Sequence, residues 1–133
     1  MTFAGINYLA VLVAAAAGYA FGAIWYALLG KRWMAALGKT PDQFSKSKAP
    51  FVYAAICQLV IAYMLGGMLG HLGEITVSNA LIAAGFLWFG FVLATMIVNH
   101  RFQGSPWSLT AIDAGHWLGV LLIMGLVIGL FGL

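Results

Sequence analysis

Four long stretches without any charged side chain are the feature that most constrains the fold of this chain. They cover residues 1–30, 49–73, 75–100 and 114–133, and none of them contains Asp, Glu, Lys or Arg. A helix of about 20 apolar residues, rising about 1.5 Å per residue, crosses the hydrocarbon core of a bilayer. Each stretch is long enough, so the sequence predicts four transmembrane helices.

The composition argues against a fold that is soluble in water. Hydrophobic residues make up 64% of the 133 residues and charged residues only 7%, against about 45–50% and about 25% in soluble domains. So few charges cannot cover a surface in water, and lipid is the expected solvent. The first stretch has no basic segment before it, which favours a retained helix over a cleaved signal peptide.

We therefore predict an all-α, polytopic membrane protein with a single transmembrane domain, residues 1–133, folded as a four-helix bundle. The four helices are expected at about Gly5–Leu29, Phe51–Leu69, Asn79–Phe102 and Pro106–Phe131. The sequence Gly104-Ser105-Pro106 predicts a tight last turn, with Ser105 as the N-cap of the fourth helix.

The first loop, residues 30–50, carries two further signals. Trp33, Met34 and Leu37 share one helical face beside basic residues, which predicts a short helix in the membrane interface ended by Gly38. Thr40 is followed by Pro41 and then by Gln43, a pattern typical of a helix start.

The distribution of basic residues predicts the orientation. Five of the six lie in the first loop and the sixth precedes the third loop, whereas the second loop has none: Lys31, Arg32, Lys39, Lys46, Lys48 and Arg101. Cytoplasmic loops retain basic residues, so both termini are expected outside. Charge placed this way favours an anionic membrane surface over nucleic acid as the partner. The predicted interfacial motif combines aromatic and basic residues: Trp25, Tyr26, Lys31, Arg32 and Trp33.

Small residues predict which helix faces meet, because close approach drives helix association in lipid. The predicted inward faces are Ala14, Ala15, Gly18 and Gly22 in the first helix, Ala54, Ala55, Gln58 and Ala62 in the second, and Ala83, Leu87, Gly90, Ala94 and Arg101 in the third.

The fourth helix has two specialised faces. One carries Asp113 and His116, with Trp117 and Val120, and the opposite face carries Gly115 and Gly119. Turning the polar face inward leaves the glycine face for another helix. We therefore expect a homo-oligomer of two to four copies that meet through this glycine face, or a place in a larger membrane complex.

Asp113 is the residue most suggestive of function. A carboxylate about two turns into a membrane helix costs about 2.5–3.5 kcal/mol or more, so it needs a partner, a proton or water. One interpretation is an ion pair with Arg101 across the tight turn. The alternative is a functional site in which Asp113 and His116 relay protons or bind a cation.

Two other polar residues complete the candidate site. His100 lies near the same end of the bundle, and Gln58 is a predicted interhelical hydrogen-bond donor. Neither completes a recognised metal spacing, so no metal and no cofactor are predicted. Cys57 is the only cysteine and lies in an apolar run, so we expect it to be inert.

Several motifs resemble a known family. Gly22-Ala23-Ile24-Trp25-Tyr26, then Gly30-Lys31-Arg32-Trp33-Met34 and Gly38, and late in the chain His116-Trp117-Leu118-Gly119, are similar to the pattern of small bacterial membrane proteins catalogued as domain of unknown function seventeen sixty-one. The resemblance implies an integral membrane protein of bacteria and supplies no agreed activity.

Three classes of function therefore stay open. The favoured one is a non-enzymatic, self-assembling or accessory membrane subunit. The second is a small oligomeric channel or transporter that uses Asp113 and His116. The third is a membrane enzyme, or a binder of a lipid- or quinone-like molecule. An enzyme is less favoured, since it usually needs more convergent polar groups than this chain offers.

Overall fold

The structure is a computed structural model that describes residues 5–132. Within that range, four helices are long and apolar enough to cross a membrane: Tyr8–Leu37, Ala49–Leu72, Val77–Phe102 and Trp107–Phe131. The predicted all-α fold with four membrane-length helices is confirmed. The predicted domain also includes residues 1–4 and 133, which lie outside the described range.

The first, second and fourth spans are each one α-helix, and we label them α1 (Tyr8–Leu37), α2 (Ala49–Leu72) and α5 (Trp107–Phe131). The third span has three parts: α3 (Val77–Leu87), a π-helical segment (Trp88–Leu93) and α4 (Ala94–Phe102). A short 3-10 turn, Pro41–Gln43, lies in the first loop.

Helix α1 extends beyond its predicted end at Leu29. Its N-cap is Asn7, whose side chain accepts a hydrogen bond from the Ala10 amide, and it ends at Gly38 with φ 68°. The predicted interfacial helix is therefore the last part of α1 and not a separate element. Gly30 does not interrupt it, because one interior glycine costs only about 1 kcal/mol and helix-forming residues follow.

The turns at the ends of the helices follow local sequence signals. Thr40 donates its backbone N–H to Oε1 of Gln43 at 2.8 Å, as the predicted helix start requires. The hydrogen bond from the Thr40 hydroxyl also lowers the pKa of the Asp42 carboxyl. In the third loop Gly104 has φ 71°, but Pro106, not Ser105, occupies the N-cap position of α5.

The helices run up and down, with α5 packed between α1 and the third span and α2 packed against α1. We call the end where α1 begins and α5 ends the terminal end, and the end that holds the first and third loops the basic end. The aliphatic core lies toward the terminal end, where small and branched residues of α1, α2, α3 and α5 meet, among them Val11, Leu65, Leu69, Ala80, Met124 and Ile128.

Two of the predicted inward faces need correction. In α2, Gln58 and Ala62 are buried but Ala54 and Ala55 are exposed. In the third span the buried residues are Ala80 and Ala84, while Gly90 and Ala94 are exposed. The π-helical segment explains the second error, because it adds a residue to one turn and rotates everything after it relative to a regular helix.

Candidate functional site: a cavity between α1 and α2

Two glycines of α1 allow polar side chains from neighbouring helices to lie against its backbone. A Cβ at Gly18 would lie 2.8 Å from Oε1 of Gln58, and a Cβ at Gly22 would lie 2.7 Å from Nε2 of His116. Gly18 and Gly22 are four residues apart and so share one face. They bring Gln58 of α2 and His116 of α5 to neighbouring levels of the same groove.

Both polar side chains are buried without full hydrogen bonding. Gln58 is 4% exposed and His116 is 6% exposed. Within residues 5–132, neither Oε1 of Gln58 nor Nδ1 of His116 has a hydrogen-bond partner. The predicted interhelical hydrogen bond of Gln58 is therefore not formed. A buried unpaired polar atom costs about 1–3 kcal/mol, so each such atom calls for an explanation.

Asp113 has a different partner from the one that the sequence favoured. The Tyr26 hydroxyl of α1 donates to Oδ1 of Asp113 at 2.6 Å. The Tyr26 ring also lies 5.0 Å from the ring of His116, centroid to centroid. Tyr26 thus connects the two polar residues of α5 to α1, and this residue of the predicted interfacial motif is a hydrogen-bond donor within the bundle.

Arg101 bonds to groups other than Asp113, and its Nη1 is buried without a hydrogen-bond partner among the described residues. Its Nη2 donates to the Ser105 carbonyl and to the Thr110 hydroxyl, both at 2.9 Å. The guanidinium also lies 3.5 Å from the centroid of the Trp107 ring. These groups stand at the start of α5, and Thr110 lies about one turn before Asp113. The predicted Arg101–Asp113 ion pair is therefore not formed among the described residues.

His100 belongs to the Arg101 cluster and not to the His116 region. Its Nδ1 lies 2.7 Å from the Thr110 hydroxyl. Across residues 5–132, no group of three His, Cys, Asp or Glu side chains is arranged to hold a metal ion.

The glycine face of α5 is filled from within the same chain. A Cβ at Gly115 would lie 2.9 Å from the Trp25 ring, and one at Gly119 would overlap the Phe21 ring. Trp25 also donates its indole N–H to the Ile112 carbonyl at 3.0 Å. The sequence predicted that a second copy of the chain would pack on the face of Gly115 and Gly119. Side chains of α1 occupy this face instead.

A cavity of about 880 Å³ opens beside Gln58 and His116. One face of α1 forms its first wall, the first half of α2 forms the second, and α5 contributes His116 and Trp117. The lining residues from the two walls are Tyr19, Gly22, Ala23, Tyr26, Ala27, Gly30, Trp33 and Met34 of α1, and Pro50, Phe51, Tyr53, Ala54, Cys57 and Gln58 of α2. We call this space the α1–α2 cavity.

The first loop covers the basic end of the α1–α2 cavity. Phe44 stacks on Trp33 with ring centroids 5.3 Å apart, and Lys39 Nζ lies 5.5 Å from the Phe44 ring centroid. We call Trp33 and Phe44 the roof. The basic residues of the interfacial motif, Lys31 and Arg32, are exposed. The α1–α2 cavity therefore has polar groups at its inner end and Lys39 beside its roof.

Sequence reasoning identified the polar residues but missed the cavity. Tyr19, Phe44 and Cys57 were not recognised as lining residues, although Tyr19, Tyr26 and Trp33 repeat at helical spacing along α1. That stripe was a usable signal, because aromatic residues seven apart share a face. The sequence of α2 gives no periodic signal that its first half lines a cavity.

Of the comparisons with known proteins, one identifies a family and none adds an activity. No curated protein and no solved structure matches the chain. A family profile described as "Protein of unknown function (DUF1761)" matches residues 9–129, nearly the whole bundle. The chain belongs to the DUF1761 family of proteins of unknown function.

Proposed function

We propose that this membrane protein binds a small apolar molecule, taken up from the membrane, in the α1–α2 cavity. The observation that carries the proposal is the pair of buried side chains, Gln58 and His116, which line this cavity and retain unpaired polar atoms. A ligand that accepts hydrogen bonds from the other polar atoms of these two side chains, the Gln58 amide nitrogen and His116 Nε2, would offset part of the cost of burying them.

The size and lining of the α1–α2 cavity fit such a ligand. Small-molecule sites are typically about 300–1,000 Å³, mostly apolar, with a few polar groups that fix orientation. This cavity has a volume of about 880 Å³. Its walls are mainly aromatic and aliphatic, with Gln58 and His116 at the inner end. Catalysis would require more convergent polar groups, so binding is favoured over an enzymatic role.

Cys57 provides a site-specific measurement of occupancy. It lines the cavity, its side chain is exposed, and it is the only cysteine in the chain. Protein in nanodiscs is treated with N-ethylmaleimide in the presence of decylbenzene or of a fully substituted decylbenzoquinone. A bound molecule shields the thiol, so at about ten times its Kd the alkylation rate should fall about tenfold.

Two controls separate the cavity from general effects on the membrane. In the variant Cys57→Ser/Val98→Cys the thiol moves to an exposed position on α4 outside the cavity, and its alkylation should not respond to either probe. Ala54→Trp fills the α1–α2 cavity and should remove protection, while Ala55→Trp, whose position does not line it, should keep protection. If neither probe slows alkylation of Cys57, the binding proposal fails.

Self-assembly is a second candidate function, and one observation favours it. In the most apolar part of the third span only 6% of residues are buried, against 33–39% in the other three spans. This poorly covered span exposes the amide of Asn99. An amide both donates and accepts hydrogen bonds, so two copies related by a two-fold axis can satisfy each other. We propose that copies meet through α4, and not through Gly115 and Gly119.

The self-assembly proposal is tested by mass measurement in nanodiscs. Asn99→Leu should lower the oligomer fraction, whereas Val98→Leu, next to it on α4, should not. A wild-type protein that runs as a monomer, or an oligomer that Asn99→Leu leaves unchanged, would rule out this surface.

We also propose that the protein lies in the inner membrane of a bacterium with both termini outside. The support is the basic first loop, which the positive-inside rule assigns to the cytoplasm. A reporter fused after residue 133 should be active outside the cytoplasm. A C-terminal fluorescent fusion that matures in the cytoplasm would contradict this orientation.

A further inference from the structure

We infer that the ligand of the α1–α2 cavity is an uncharged, quinone-like molecule, whose ring carbonyl accepts hydrogen bonds from Gln58 and His116. This inference rests on the proposed binding function and names the chemical class of the ligand. Four properties of the cavity lead to it: the direction of the Gln58 amide, the position of His116 Nε2, the neighbouring carboxylate and the aromatic walls.

The Gln58 amide directs its oxygen away from the α1–α2 cavity. Oε1 lies against Gly18, a residue that does not line the cavity, whereas Gln58 itself does. Since the amide nitrogen is the other terminal atom of the side chain, the NH2 group is the part available to a ligand. Gln58 therefore offers hydrogen-bond donors, and the complementary ligand atom is an acceptor.

His116 offers a donor for a related reason. Its Nδ1 is enclosed without a partner within residues 5–132, and its Nε2 lies beside Gly22, which lines the cavity. A neutral imidazole carries its proton on one nitrogen only. An enclosed N–H without an acceptor is rarer in proteins than an under-satisfied acceptor. The proton therefore belongs on Nε2, and His116 presents a second donor near that of Gln58.

The charge around the inner end argues against an anionic acceptor such as a fatty-acid carboxylate. Asp113 lies on α5 one turn before His116 and is hydrogen-bonded to Tyr26, which packs on the His116 ring. A second carboxylate nearby would be repelled and would lose its hydration in an apolar cavity. A neutral carbonyl accepts the same two hydrogen bonds without either cost.

The walls favour a flat ring over a bare acyl chain. Aromatic residues surround the cavity on α1, α2, α5 and the first loop: Tyr19, Tyr26, Trp33, Phe44, Phe51, Tyr53 and Trp117. Aromatic rings pack best on other planar groups, in offset or edge-to-face arrangements. A carbonyl-bearing ring would stack between these walls, and its apolar tail would extend toward lipid.

The experiment compares matched probes by their protection of Cys57 in nanodiscs. A fully substituted decylbenzoquinone, which cannot add to the thiol, shares its decyl tail and six-membered ring with decylbenzene, which has no carbonyl. Since each hydrogen bond contributes about 0.5–1.5 kcal/mol, the quinone should protect at a concentration about tenfold lower. Gln58→Leu should lower this preference to about threefold, because the hydrogen bond from His116 remains. Gln103→Leu, at an exposed position outside the cavity, should retain it.

The possible outcomes distinguish a failure of the carbonyl inference from a failure of the binding proposal. Equal protection by the two probes would refute the carbonyl inference and leave binding in place, whereas no protection by either would refute both. Stronger protection by decanoate than by the quinone would overturn the neutral carbonyl in favour of a carboxylate. A quinone preference that is undiminished in Gln58→Leu would exclude Gln58 as a donor. If Gln58→Leu fails to fold, the comparison of the two probes on the wild-type protein still tests the carbonyl inference.

Discussion

The terminal end and the basic end of the bundle are built from the same four spans but are filled in different ways. At the terminal end, Leu69 and Met124 are fully enclosed side chains within a continuous aliphatic core. Toward the basic end, α1 and α2 line an open cavity of about 880 Å³, with buried polar side chains at its inner end. Close packing is therefore concentrated where the polar groups are absent.

Both ends of the bundle have glycines at helix contacts, but the atoms that lie against these glycines differ. At the terminal end, a Cβ at Gly129 would lie 2.7 Å from Cα of Val77, and one at Gly125 would lie 3.0 Å from the Ala80 carbonyl oxygen. There glycine brings two helix backbones together. Nearer the basic end, Gly18 and Gly22 bring side chains of Gln58 and His116 against α1. Glycine therefore allows close contact between helix backbones at the terminal end and makes space for polar side chains nearer the basic end.

The largest expected difference between the two ends concerns methionine. Met124 is fully buried at the terminal end, so Met124→Ala should leave a cavity and lower the free energy of unfolding by about 2–5 kcal/mol. Met34 lines the α1–α2 cavity, where space already exists, so Met34→Ala should cost much less. Unfolding by SDS titration in mixed micelles measures both. Equal losses would mean that the two ends contribute similarly to stability.

Overpacking gives the second largest effect. Gly119→Leu places side-chain atoms where the Phe21 ring lies, and forcing atoms into a packed interface costs about 1–3 kcal/mol. Gly90→Leu is the matched control, because a Cβ at Gly90 has no atom within 4 Å. The prediction is lost stability in the first variant and near wild-type stability in the second. A Gly119→Leu protein that is fully stable would argue against the observed α1–α5 packing.

The sequence was sufficient for the spans and for part of the packing. Charge-free length predicts four helices because the bilayer sets that length, and the α1 stripe from Ala14 to Gly22 is indeed buried. The third span could not be predicted in detail, since a 3.6-residue period assumes a regular helix and the segment Trp88–Leu93 is π-helical.

The partners of the polar residues depend on tertiary contacts that sequence spacing does not contain. Arg101 and Asp113 are close along the chain, which favoured pairing them, yet Asp113 bonds Tyr26, 87 residues away. Arg101 instead donates a hydrogen bond to Thr110 and lies over the Trp107 ring. The α1–α2 cavity could not be predicted either, because it depends on how α1 and α2 pack in three dimensions.

The Tyr26–Asp113 hydrogen bond predicts a coupling of intermediate size. Tyr26→Phe and Asp113→Asn should each lower the free energy of unfolding, and the double variant should lose about 1–2 kcal/mol less than the sum, because the two side chains form one hydrogen bond. Arg101→Gln combined with Asp113→Asn should be additive, since these residues have separate partners. A large coupling energy between Arg101→Gln and Asp113→Asn would instead support the ion pair that the sequence favoured.

The smallest effect on stability is expected at the roof. Phe44 is only partly buried and stacks on Trp33 from a loop, so Phe44→Ala should lower the free energy of unfolding by about 0.5–1 kcal/mol. It should nevertheless speed alkylation of Cys57, because the roof covers the cavity that Cys57 lines. Phe102→Ala, at a position that is 91% exposed on α4, should change neither quantity. An unchanged alkylation rate in Phe44→Ala would mean that reagents reach Cys57 from the membrane side of α2 and that the loop does not control access.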